Sequence, residues 1–340
     1  MSAVLCVGEL EQAKHWSWQK VTANAVEDAN LLASLLNIDI DVMAKQVTSS
    51  EFKLRVPLTF VSRMRQGDLQ DPLLLQTLPL KQERLEVARF IKDPLNEQTY
   101  NVCPGLVHKY HGRVLLTAAV SCPINCRYCF RRHFPYDENR LTPTTWAPAL
   151  DYIRADQSIK EVILSGGEPL LLNDRLVDQL LSQIESIAHV KHIRIHSRFP
   201  IAIPQRLTDV LCARLIGSRC NIALVLHANH PNEIDSQVKL HLKKLVNSSV
   251  TVLNQSVLLN GINNNVEDLS QLSEKLYDAG VLPYYLHATD PVAGTVHFEV
   301  DDEQAQQLAL ELSHVLPGYL VPTLVREVSG QLAKTRLAPQ

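Results

Sequence analysis

The sequence predicts an α/β fold built from parallel βαβ units. Two observations carry this. Short apolar runs alternate with longer helix-like stretches from residue 112 onward, and the residues before it read as mainly helical. A third narrows it: no glycine-rich dinucleotide turn follows the first strand, which weakens a doubly wound nucleotide fold. Six predicted strands favour a partial or full barrel, although spacing alone leaves a doubly wound sheet open.

The chain has 340 residues, long enough for two domains or one large α/β domain. Ala23 to Leu36 and Asp41 to Gln46 have helical apolar spacing, and Glu83 to Ile91 is a further helix candidate. Leu69 to Pro79 and Asn96 to Gly112 read as irregular. Strands are then expected at Val114–Val120, Glu161–Leu164, His192–His196, Asn221–His227, Val250–Leu258 and Leu282–Leu286. Helices are expected at Trp146–Asp156, Asn173–Ala188, Pro204–Ile216, Glu233–Val246 and Val266–Ala279, with Thr142-Pro143 and Asn173-Asp174 as starts. The division is an N-terminal helical region and lead-in (1–111), a barrel (112–300) and a C-terminal segment (301–340).

Lys+Arg is 33 against Asp+Glu 36, a net charge of −3, so there is no electrostatic footprint for nucleic acid or an anionic membrane. No apolar run approaches a membrane span, and the N-terminus MSAVLCVGELEQAKHW lacks a basic start and an apolar core, so a cytoplasmic protein is expected. Seven cysteines in that compartment point to ligands, catalysts or buried thiols rather than disulfides.

In parallel α/β folds, chemistry gathers at the C-terminal ends of the strands. The cysteine cluster follows the first strand, Ser165-Gly166-Gly167-Glu168-Pro169 the second, Ser197-Arg198 the third; His227 ends the fourth and Asp290 follows the sixth. The most specific feature is Cys122, Cys126 and Cys129 in a C-x3-C-x2-C spacing, with Tyr128 before the third. Three thiolates so close can wrap one soft metal centre. Cys6, Cys103, Cys212 and Cys220 form no second knuckle, which suits a [4Fe–4S] cluster with one open iron better than structural zinc. A zinc-binding interaction module and plain buried thiols are the alternatives the spacing leaves.

With this triplet and the Gly-Gly-Glu-Pro segment, the sequence resembles the radical S-adenosylmethionine (SAM) superfamily, which implies a partial (β/α)6 barrel. Further stretches narrow the resemblance to the lysine 2,3-aminomutase family: DPLNE, PGLVHKYHGRVLLT, CRYCFRRHF, LSGGEPLL, IRIHSRFPIAIPQRLT, HANHPNE, NQSVLLNGINNN, HATDPVAGTVHF and, more loosely, GYLVPTLVREVSGQLAKTR. The resemblance implies that Cys122, Cys126 and Cys129 bind the cluster, and that Ser165, Gly166, Gly167, Glu168, Ser197 and His227 contact SAM. It implies pyridoxal 5′-phosphate carried on Lys334, with Arg113, Lys109 and Gln255 at the cofactor. Gln331, Leu332 and Ala333 depart from the glycine-richer family loop before that lysine.

For the substrate, L-lysine, it implies Arg131 at the α-carboxylate and Asp290 and Glu327 at the ε-ammonium, Glu327 replacing the usual aspartate. The implied reaction is isomerisation of L-lysine to (R)-β-lysine through a 5′-deoxyadenosyl radical. The larger family members carry a C-terminal extension with zinc-binding cysteines. The short C-terminal end here resembles the bacterial subgroup that serves modification of translation elongation factor P. That implies a functional link to elongation factor P and its ligase, a reductant such as flavodoxin, and leaves a homo-oligomer open. Another amino acid as substrate is the remaining alternative within the family.

Overall fold

The structure, a computed structural model, describes residues 7–135, 139 and 145–337. Cys6 and the Thr142-Pro143 helix start lie outside the described residues. The strands are β1 (Asn101–Cys103), β2 (Leu106–Tyr110), β3 (Arg113–Ala119), β4 (Glu161–Gly166), β5 (His192–Ser197), β6 (Asn221–His227), β7 (Thr251–Val257), β8 (Leu282–His287), β9 (Thr323–Arg326) and β10 (Thr335–Arg336). They form one sheet in sequence order. From β3 to β9 every pairing is parallel, and β1, β2 and β10 add antiparallel edges.

All six expected strands form, each followed by a helix, as strand-to-strand parallel pairing requires. The Asn173 start holds: its side chain accepts from Leu176 N at 3.0 Å and heads the helix Asp174–Glu185. Although the strand order is linear, the sheet curls until its two sides meet. Glu327, just after β9, accepts from Lys109 Nζ of β2 at 2.8 Å and from the Tyr110 hydroxyl. The parallel strands therefore enclose a lumen. On β7 the buried Val252, Asn254 and Ser256 alternate with the partly exposed Leu253, Gln255 and Val257.

Four expectations need correction. Ala23–Leu36 is two helices, Trp18–Ala23 and Ala29–Leu35, because Val26 pairs with Val56 and Asp28 caps the second. Glu83–Ile91 is no α-helix: only a 3-10 turn, Lys81–Arg84, forms. Its Glu83 is drawn into ion pairs, and the chain beyond runs extended to bridge Ile91 with Val292. Asn96–Gly112 is not irregular but carries β1 and β2. Finally, β9 brings the 301–340 segment into the parallel sheet, behind the helix Asp302–Val315.

One hydrophobic core contains both the outer face of the sheet and the N-terminal region, with Leu32, Leu35, Val56, Phe60, Leu73 and Leu74 packed together with Ile193, Ile195 and Leu224. The N-terminal region also grips the cysteine loop by charge. Glu83 pairs with Arg127 at 2.6 Å and with Arg132 at 2.6 Å, all three side chains buried. Burial alone would raise the Glu83 carboxyl, but the two guanidiniums overcome it and hold it below its ordinary value. Removing one member of such a triad leaves uncompensated buried charge, at a cost of about 3–5 kcal/mol. Glu83→Gln should therefore lower the midpoint of chemical denaturation of the metal-free protein by an equivalent amount; an unchanged midpoint would show that the triad does not hold the loop.

Candidate active site at the carboxyl rim of the sheet

Beyond β3 the chain turns through Ser121 into the cysteine loop. Backbone contacts fix it to the N-terminal region: Asn125 N donates to Arg55 O at 2.9 Å and Arg127 N to Gln76 O at 2.9 Å. A tight turn closes with Cys129 N on Cys126 O at 3.0 Å. Cys122, Cys126 and Cys129 are free, partly buried thiols. Burial pushes Cys129 up to about 11, with the neighbouring Cys126 adding to it. Burial raises Cys122 well above its ordinary value, and Cys129, Glu168 and Cys126 add to that. The sulfurs thus repel one another as thiolates, although among the described residues no three His, Cys, Asp or Glu side chains are gathered around a place for a single metal ion. A cationic iron–sulfur cluster reverses that repulsion, so this donor set fits one.

The glycine segment at the end of β4 lies against this loop. Gly167 N donates to Ala119 O and Glu168 N to Ser121 O, both at 2.9 Å. A Cβ on Gly167 would sit 2.7 Å from Ser121 O, and one on Gly166, at φ +100°, 2.5 Å from Thr117 Cγ2. The glycines are therefore required by backbone packing against β3 and the cysteine loop. Glu168 accepts from the backbone of Arg198 at 2.9 Å, Phe199 at 3.1 Å and Leu170 at 3.1 Å. Burial raises it to about 7 against those bonds and one from Ser197. Its carboxylate thereby fixes the turn after β5, where Ser197 Oγ also accepts from Phe199 N at 3.1 Å.

That turn presents Arg198. Its Nη1 donates to Cys126 Sγ at 2.7 Å, and its Nη2 to Gln76 at 2.7 Å and Glu233 at 3.0 Å. Tyr128 stacks on His227 at 5.6 Å between ring centroids, and its hydroxyl meets His227 Nε2 at 2.9 Å. Burial, helped by Arg198, lowers His227 to about 3, so its ring is neutral.

A second group of polar residues faces the lumen. Arg131 forms a bidentate pair with Glu97, Nε to Oε2 at 2.8 Å and Nη2 to Oε1 at 2.7 Å, while Nη1 donates to Ser165 Oγ at 3.3 Å. Lys334 Nζ donates to Glu327 Oε2 at 2.6 Å and lies 6.0 Å from the Tyr285 ring centre. Burial would raise Glu327, but Lys334 together with bonds from Lys109 and Tyr110 holds it at about 2. Arg113 lies over the Tyr110 ring at 4.7 Å, and Gln255 pairs in register with His227 and Tyr285.

Three buried polar atoms here have no partner: His196 Nε2, His287 Nε2 and Asp290 Oδ1. The charge of Lys334 reaches all three residues. Orphaned buried groups around a half-buried lysine fit a polar cofactor and substrate better than an apolar filling. Asp290 is partly exposed as a residue although its Oδ1 is buried; burial raises its carboxyl to about 7, opposed by Lys334.

The structure thus brings Lys334, Glu327 and Lys109 into direct contact, places Asp290 beside them, and joins Arg131 to Ser165. Gln76, Glu97, Glu233, His196 and His287 were not singled out from the sequence. Glu97, His196 and His287 sit inside the family-like stretches DPLNE, IRIHSRFP and HATDP, whereas nothing local marks Gln76.

The family described as the Radical SAM superfamily matches residues 117–272. The L-lysine 2,3-aminomutase of Escherichia coli is 47% identical over 322 residues, covering 94% of each chain. That of Haemophilus influenzae is 44% identical over 323 residues, covering 95% of this chain and 96% of its own. The Clostridium subterminale protein of the same name is 33% identical over 328 residues, covering 95% of this chain and 78% of its own.

Asp290 makes the stability of the ligand-free protein pH-dependent. The folded carboxyl keeps its proton up to about 7 and the unfolded one only to about 3.8, so the folded state binds more protons between them. This group's contribution to stability therefore falls as pH rises through that window. Asp290→Asn should remove the loss, and denaturation from pH 4 to pH 7 should show the variant gaining on the parent. Parallel profiles would show that Asp290 is not buried in this way.

Proposed function

The chain belongs to the L-lysine 2,3-aminomutase family of the radical SAM superfamily, an isomerase family, and from that premise we propose that it converts L-lysine to β-lysine. The observation that best supports this reading is the division of charge across the lumen. Arg131 offers a planar guanidinium at one side, and Asp290 and Glu327 offer carboxyl groups around Lys334 at the other. A substrate with a carboxylate at one end and an ammonium at the other matches that pattern. An acidic amino acid does not once Lys334 carries the cofactor and Lys109 turns to its phosphate, because its distal carboxylate would then meet Asp290 and Glu327 without their lysine partners.

In this reading Cys122, Cys126 and Cys129 hold a [4Fe–4S] cluster, and the backbone of Gly166 and Gly167 with Ser165, Glu168, Ser197 and His227 frames SAM. Lys334 carries pyridoxal phosphate, with Arg113, Lys109 and Gln255 toward its phosphate. When bound, the cluster and SAM supply a hydrogen-abstracting 5′-deoxyadenosyl radical, and pyridoxal phosphate supplies a π-system through which nitrogen moves between C2 and C3.

The protein's own side chains bind, orient and move protons. Glu327 holds the Lys334 ammonium, so Lys334 must leave that pair and shed a proton before its nitrogen can bond to an aldehyde. Asp290, poised to titrate near neutrality, releases its proton as the substrate ammonium arrives, so binding couples to proton loss. Neutral His227 and Tyr128 wall the cluster side with an uncharged surface, and the Arg198–Glu233 pair behind them adds no net charge. A mouth that closes over the bound substrate would limit the water that reaches a radical.

The (R) product, its use by the ligase that modifies elongation factor P, and a flavodoxin-like reductant belong to the same proposal. They rest on the family resemblance that the sequence motifs carry, and the chain is more similar to the Escherichia coli relative than to the Clostridium one. Anaerobic incubation with L-lysine, SAM, pyridoxal phosphate and a reductant should yield β-lysine by chiral product analysis. Cys126→Ala and Lys334→Ala should each reduce it to background. Turnover persisting in both variants would overturn the assigned roles.

A further inference from the structure

We propose that Glu97 is the positioning residue for the substrate-carboxylate subsite: it sets the plane of Arg131 so that an incoming carboxylate meets a guanidinium already oriented. This rests on the reading of Arg131 given above. The two parallel bonds, 2.8 and 2.7 Å, join the Nε–Nη2 edge of Arg131 to both Glu97 oxygens. Both side chains are largely buried, at 6% and 12% exposure, so the pair is held out of bulk water. A fork-to-fork pair fixes a guanidinium plane in a way that a single bond cannot. The Nη1 side, donating to Ser165 at the rim of β4, is where a substrate carboxylate approaches.

Glu97 is itself held. It heads the 3-10 turn Glu97–Tyr100, its amide donates to Asp93 Oδ1 at 3.1 Å, and Asn96 before it takes the left-handed conformation, φ 51°. The chain continues from this turn into β1 and β2, which carry Lys109 and Tyr110 to Glu327. One segment of chain thus supports both ends of the substrate site. The Glu97 charge also reaches Asp290 and helps to raise its carboxyl, after burial and the nearer Glu327.

Glutamine at position 97 keeps the shape but turns one acceptor into a donor facing the guanidinium. With the cofactor-loaded protein, Glu97→Gln should raise KM for L-lysine roughly tenfold, the loss falling on KM rather than kcat. The inhibition constant of L-lysinamide, which lacks the carboxylate, should move far less, and Glu97→Asp should recover part of the loss. Arg131→Met combined with Glu97→Gln should bind L-lysine no worse than Arg131→Met alone. Equal weakening for lysine and lysinamide would make Glu97 merely structural, and a lower KM would make it a competitor of the substrate; either overturns the proposal. A parent protein that fails to turn over L-lysine would contradict the functional reading instead.

Discussion

The site depends on one buried ion triad. Glu83, from the N-terminal region, lies between Arg127 and Arg132 of the cysteine loop. Arg127 stands between Cys126 and Tyr128, and Arg132 follows Arg131, so the contact that secures the loop lies next in sequence to Cys126, Tyr128 and Arg131. Backbone bonds to Arg55 and Gln76 hold the same loop, in which burial and neighbouring sulfurs disfavour Cys122 and Cys129 as thiolates.

A second constraint is the closure of the sheet. The strands run in linear order, yet Lys109 and Tyr110 of β2 meet Glu327 beyond β9. That contact completes the lumen wall and places Lys334 inside it. The polar contents then sort into a sulfur pole, built on Arg198, Tyr128, His227 and Glu233, and an amine pole, built on Lys334, Glu327 and Asp290. Arg131, bound to Ser165 at the end of β4, stands at the rim with the first of these.

Local sequence pattern revealed the parallel strands and the rim because both depend on residues close in the chain. The six strands lie within two residues of their expected bounds, and the cysteine spacing needs no tertiary information. Long-range pairing hid the rest. Glu83 to Ile91 has helical spacing, but a buried carboxylate bound to two distant arginines outweighs that propensity. Nothing local marks Gln76, and Glu97 and Glu233 lie in family-like stretches with no role read from them; only the fold brings them to Arg198 and Arg131. The resemblance implies that Gly166 and Gly167 contact SAM, whereas their first requirement is the close passage of the neighbouring backbone.

The proposed chemistry requires three neighbouring thiols to hold an iron–sulfur cluster with one iron left to SAM. The most direct measurement is metal and sulfide analysis of anaerobically reconstituted protein, coupled to electron paramagnetic resonance of the reduced sample with and without SAM. Iron and sulfide should be present in equal amounts, with a reduced-cluster signal that SAM changes. Zinc without sulfide, or a cluster signal indifferent to SAM, would contradict it.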